Sequence, residues 1–175
     1  MTEHASQTAT DAIRLERLLD APVETVWEWL VDSEKRCRWF AAGKMEPRVG
    51  GDLELIFDHD NLSADDVPYP PEYAKYKGAK SQEKIVRFDP PHLLAFTFGN
   101  EGKAVAEFAL SPEGERTRLV LTQTGLTKAE RADNGAGWYS HLAVLEARLA
   151  GREIRDFWAL HKQSEAAFAR EDEQA

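Results

Sequence analysis

The residues of this chain with the widest chemical reach are five histidines, one cysteine and a short acidic run. His141 lies in the stretch GWYSHLAVLEARLAG, residues 137–151. At helical spacing Trp138, Leu142, Leu145 and Leu149 share one face, and His141 sits at its edge. Inside an apolar cavity an imidazole has its pKa shifted by desolvation and can carry a proton to or from a bound molecule. His141 is therefore the candidate acid–base group for cyclase, dehydratase or hydrolase-type chemistry. The same residue could equally close a core and bond a backbone carbonyl. Tyr139 points about 100° away from Trp138 and is a weaker candidate. No residue is assigned a catalytic role.

The run Asp58-His59-Asp60 has metal-binding atom types without metal-binding geometry. In a strand the two aspartates would point one way and His59 the other. The chain contains neither H-x-x-x-H nor H-E-x-x-H, so no metal site and no cofactor are expected. The run reads as a polar strand end. Cys37 sits in a charged segment with no evident histidine partner, there is no G-x-S-x-G elbow, and GNEGK at 99–103 reads as a turn, not a phosphate loop. With 31 acidic against 22 basic residues the net charge is −9, which repels polyanions, and no nucleic-acid partner is expected. One cysteine permits no internal disulfide. Neither a leader-like start nor a run of 18 apolar residues occurs, so a cytoplasmic protein without a membrane partner is expected.

These groups need elements to position them. Residues 1–11 read as a disordered tail. Residues 12–20 read as a strand with Ile13, Leu15 and Arg17 on one side. In APVETVWEWLVD, Pro22 suits the first helical position, and Val23, Val26, Trp27, Leu30 and Val31 form an apolar stripe that supports the structure from behind. Ser33 is expected to cap a short turn leading to Trp39 and Phe40. From there the period is two. KMEPRV, then Gly50-Gly51, then DLELIFD with Leu53, Leu55 and Phe57 on one face open a meander. QEKIVRFD, HLLAFTF (Leu94, Phe96, Phe98 on one face), KAVAEFAL and TRLVLTQT continue it, giving about seven strands, antiparallel because the turns are short. Two helices follow, one starting after Gly135 and Gly137 and ending at Gly151, the second carrying Phe157, Leu160, Ser164 and Phe168 on a weaker stripe. Residues 59–81 form an unusually long connection with Tyr69, Tyr73 and Tyr76; PPEYAKY suits a turn or two of helix, and the segment reads as a flap over one end of the sheet or as a passive insertion.

LDAPVETVWEWLVD with RWF, EPRVGGDLEL, DPPHLLAFTF, RLVLTQTGL and GWYSHLAVLEARLAG together resemble the START-like, Bet v 1-like superfamily. Within it they are similar to bacterial proteins related to the C-terminal domain of the activator of Hsp90 ATPase. The resemblance covers roughly residues 12–151, and 152–175 reads as an additional helix packed on the same domain. It implies an α+β helix-grip fold: a curved antiparallel sheet of six to seven strands wrapped around a long C-terminal helix, often with an apolar cavity between them. The expected function is binding of a small apolar molecule there, with Trp39, Phe57, Phe96, Phe98, Trp138, His141, Leu142 and Leu145 as wall residues; the same aromatics could instead be core. The alternatives are a module acting on a protein partner such as a chaperone, favoured by the acidic surface and the Phe157-Trp158 pair, and an enzyme using His141. Arg48 and Arg87 could meet an anion at the rim. A monomer or homodimer is expected.

Overall fold

The computed structural model describes residues 12–174; the expectation for the first eleven residues lies outside them. Alternating apolar residues build six strands: β1 (Ile13–Leu19), β2 (Asp52–Ile56), β3 (Lys80–Asp89), β4 (Leu93–Thr97), β5 (Val105–Glu113) and β6 (Arg116–Thr124). They form one antiparallel sheet in the order β1-β6-β5-β4-β3-β2. β1 closes on the last strand, with Leu15 opposite Leu121. A register shift between Ile85 and Arg87 bends β3. The expected strand at KMEPRV is not a regular one. The chain around it pairs with β2 through isolated bridges at Ala42 and Met45, because Gly43 departs to φ 126° and Pro47 has no N–H to donate.

Two short helices follow β1: α1 (Val23–Val31) and α2 (Ser33–Arg36). Pro22 stands one residue earlier than expected, at the N-cap of α1. The cap of α2 is Asp32, whose carboxylate accepts from the N–H groups of Glu34 and Lys35, a position where a negative charge also suits the helix dipole. Ser33, the expected cap, instead accepts from Gly43 N–H at 2.9 Å.

The long helix α3 spans Lys128–Leu149 and starts well before the expected glycines. Thr127 and Glu130 form a reciprocal capping box that sets its beginning. Gly135 is internal for a packing reason: a Cβ there would lie 2.2 Å from the ring of Phe168. The last helix, α4 (Phe157–Gln174), packs on α3 by burying Phe157, Ser164 and Phe168. A two-pronged Arg131–Asp172 pair ties the far ends together. Between sheet and α3 the core holds Leu53, Leu55, Leu119, Leu121, Leu142 and Leu145, all fully buried. Among the described residues no helix is long and apolar enough to cross a membrane.

Candidate functional site

At one end of the sheet the core stops being filled. The inward face of β3 carries Ser81 and Glu83, cross-strand partners of Leu55 and Leu53, where alternation would call for large apolar side chains. A pocket of about 630 Å³ opens there, within the range of small-molecule sites. It lies between β3, the ends of β2 and β4, the middle of α3, the first turns of α4, and residues 59–76. Its outer rim is charged and exposed (Glu72, Lys75, Lys80, Asp133, Glu165), whereas its depth is aromatic.

The deep wall is a lattice of rings. Phe40 packs on Trp138 at 4.9 Å between centroids, and meets Phe57, Phe98 and His141 edge-on at 5.4 to 5.7 Å. His59 packs against Trp158 at 4.9 Å and Phe157 at 5.3 Å. Tyr73 stacks on Trp158 at 4.9 Å and 14°, so residues 71–76, a 3₁₀ turn, close over α4 as a flap. Such edge and offset ring pairs add modestly to the area they bury.

Side-chain hydrogen bonds hold this wall in place. Trp138 Nε1–H donates to Gln123 Oε1 at 2.8 Å, and Gln123 Nε2 donates to the Phe98 carbonyl at 2.6 Å. Trp39 Nε1–H donates to the Trp29 carbonyl. Arg36 is 2 % exposed and donates to four backbone carbonyls, those of Leu30, Val31, Ala41 and Gly43. Desolvation brings its pKa down to about 10, so it stays cationic at neutral pH and pins the segment that delivers Trp39 and Phe40.

Three imidazoles face the pocket. His141 Nδ1 lies 2.8 Å from the Trp39 carbonyl. Burial, reinforced by the nearby His59, pushes its pKa down to about 3. His59 leads a 3₁₀ turn (His59–Leu62); its backbone N–H donates to Tyr69 Oη at 2.6 Å, and its Nδ1 is 3.2 Å from the same oxygen. Burial, with His161 adding repulsion, takes it down to about 4. His161 is also lowered by burial and its Nδ1 lies 2.8 Å from Ser140 Oγ. Desolvation thus keeps the two deepest rings neutral at pH 7. An imidazole this weakly basic takes a proton poorly near neutrality; these rings serve better as hydrogen-bonding groups. Among the described residues no three His, Cys, Asp or Glu side chains converge as metal ligands.

Of the expected wall residues, Phe57, Phe98, Trp138 and His141 line the pocket, whereas Trp39, Phe96, Leu142 and Leu145 lie behind it in the core. Tyr139 faces elsewhere, under the Arg17 guanidinium. Arg48 is exposed near Glu46, and Arg87 pairs with Glu107; neither lines the pocket. Cys37 donates to the Glu34 carbonyl, with its thiol pKa raised by burial. Asp58 and Asp60 turn outward to Lys77 while His59 turns in. The residues missed in the sequence are Phe40, His59, Tyr73, Phe157, Trp158 and His161. The available signals were the tyrosines of 69–76, the Phe157-Trp158 pair, and the inward Ser81 and Glu83.

Residues 20–150 match the family described as Activator of Hsp90 ATPase homolog 1-like protein. A Bordetella parapertussis protein solved in solution is 40% identical, with a TM-score of 0.78 over 91% of this chain and 85% of that one. CalU16 from Micromonospora echinospora shares the fold at 24% identity, with a TM-score of 0.65 over 93% and 88% of the two chains. DynU16, described as a protein in the dynemicin biosynthetic locus, shares it at 21% identity and a TM-score of 0.63, over 84% of this chain and 50% of that one. No curated protein matches.

Proposed function

We propose that this chain, which belongs to the Activator of Hsp90 ATPase homolog 1-like family, binds one small, largely apolar molecule between sheet, long helix and flap. The observation that carries this reading is the unfilled end of the core. A pocket of about 630 Å³ has a depth walled by Phe40, Phe57, Phe98, Trp138, Phe157 and Trp158. A dry apolar ligand replaces water against those rings at about 25 cal/mol for each Å² buried. Apart from Glu83, the charged residues stand at the rim, where they stay solvated, and the interior surface is mostly apolar.

The test is native mass spectrometry of protein purified from its own host, followed by a thermal-shift screen of lipids and aromatic compounds. A ligand present at about 100 times its Kd adds about 2.7 kcal/mol of stability, which a melting curve registers. A co-purified small molecule or a stabilising compound displaced by Trp138→Ala supports the reading. An empty protein that no compound stabilises refutes it. Action on a chaperone is the second reading, drawn from the family description; binding to Hsp90 and stimulation of its ATPase test it.

A further inference from the structure

The pocket wall is mostly carbon, yet some of its polar atoms lack a protein partner. A carbonyl only accepts, so the His141–Trp39 contact places the proton on His141 Nδ1. In the neutral ring Nε2 then presents a lone pair. At His59 the roles are reversed. Tyr69 Oη already accepts from the His59 backbone N–H, and among the described residues its own proton has His59 Nδ1 as acceptor. Nδ1 of His59 therefore accepts, and its Nε2 carries a proton. Neither Nε2 has a hydrogen-bond partner among the described residues, and both rings line the pocket; Ser81 Oγ is also buried and unpartnered. Ser81 is in the same pocket wall. The two imidazole rings lie 5.7 Å apart between centroids.

A donor and an acceptor thus belong to two neighbouring rings that both line the aromatic end of the pocket. A hydroxyl both accepts and donates, so one such group can offer a proton to the His141 lone pair and a lone pair to the His59 N–H. A carboxylate suits it poorly, because it only accepts: it would meet the His141 lone pair and share the cavity with Glu83. A pure hydrocarbon would leave both imidazole nitrogens desolvated and unpaired, which costs affinity.

We propose that the molecule this pocket takes is a neutral, flat aromatic bearing a hydroxyl group, held by His59 and His141 with its rings among Phe40, Phe57 and Trp138. This rests on the apolar-ligand reading above and narrows it to one chemistry.

Three probes of nearly one shape test it: naphthalene, 2-naphthol and 2-naphthoate, titrated into the full chain and followed by the NMR shifts of the tryptophan indole N–H groups. The expected result is 2-naphthol binding at least tenfold tighter than naphthalene, with 2-naphthoate no tighter than naphthalene. In His141→Phe the naphthol preference should collapse while naphthalene still binds. That variant also loses the Trp39 bond, so the wild-type comparison decides without it. Equal affinity for naphthol and naphthalene, or tightest binding of naphthoate, overturns the hydroxyl inference and leaves the apolar-pocket reading standing. Failure of all three to bind overturns both.

Discussion

His141 Nδ1 lies 2.8 Å from the carbonyl oxygen of Trp39, more than a hundred residues away in sequence. That bond joins the long helix to the loop behind the pocket and fixes which ring nitrogen faces the cavity. Long-range ¹H–¹⁵N correlation at pH 7 should show His141 protonated at Nδ1 and His59 at Nε2. The opposite tautomer at His141 would contradict the geometry.

The same burial sets a pH dependence. His59 and His141 titrate in the fold at about 4 and about 3, below the ordinary 6.5. Below pH 6.5 the unfolded chain gains protons on these rings that the folded chain refuses. Their contribution is therefore intact above pH 6.5 and is lost as pH falls toward about 3. Between pH 6.5 and 5 each ring should remove up to about 2 kcal/mol, at about 1.36 kcal/mol per unit. Glu16 and Glu130, lowered by hydrogen bonds with Arg118 and with the Thr127 backbone respectively, lose their contribution only at more acid pH. Urea midpoints at pH 7.5, 6.5 and 5 check this: a flat profile from 6.5 to 5 would count against two neutral buried imidazoles.

A pair of glycines in one helix separates packing from propensity. Gly135→Ala drives a methyl into the Phe168 ring, 2.2 Å from the nearest atom. It should cost about 1–3 kcal/mol and loosen α4. Gly137 has nothing within 4 Å of a Cβ, so Gly137→Ala should stabilise by roughly 0.5–1 kcal/mol through helix propensity. Equilibrium urea unfolding of the two variants decides; similar values for both would show that Phe168 does not seat on Gly135.

Much of this architecture is legible in the sequence. Period-two runs mark all six strands, and the Val23–Val31 stripe marks α1. Turn glycines and Pro90-Pro91 mark where the meander reverses. The start of α3 is hidden because two glycines look like a boundary, whereas the boundary is the Thr127–Glu130 capping box and the Gly135 gap is filled by a residue of another helix. The site is less legible for the same reason. Phe57, Phe98, Trp138 and His141 share the apolar faces of regular elements and can be found from periodicity. His59, Tyr73, Trp158 and His161 come from irregular turns and from the last helix, and only tertiary contact brings them together. Arg36 is harder still, since nothing in EKRCR distinguishes a cation that folds inward from its solvated neighbours.

That arginine supports a further expectation. Arg36→Met keeps an unbranched apolar stem but, being shorter and without the guanidinium, leaves four carbonyls without their shared donor. Each buried acceptor left unmade is costly, so the variant should lose about 3 kcal/mol or more. Lysine should rescue only part of this, because a single ammonium cannot match the planar fork. Thermal unfolding of the two variants measures the difference, and a methionine variant as stable as the parent would show that the guanidinium is not holding the loop.

The flap supplies the last test. Tyr73 closes on the pocket by stacking on Trp158 and meeting His161 edge-on at 5.3 Å, yet the surrounding residues 71–78 are largely exposed. A segment fastened by a few ring contacts, the exposed Lys77 pairs with Asp58 and Asp60, and one backbone bond from Gly78 to Phe57 opens at far lower free energy than the core. Its amides should exchange with solvent faster than those of β5 and β6, whose ladders are continuous. Tyr73→Ala removes the stack and should speed exchange across residues 71–78 several-fold, with the global unfolding midpoint changed by less than about 1 kcal/mol. A ligand in the pocket should do the reverse and slow exchange in the same segment. Hydrogen–deuterium exchange read by mass spectrometry follows both effects. If the variant exchanges like the parent, the ring stack does not hold the flap, and entry to the pocket is governed elsewhere.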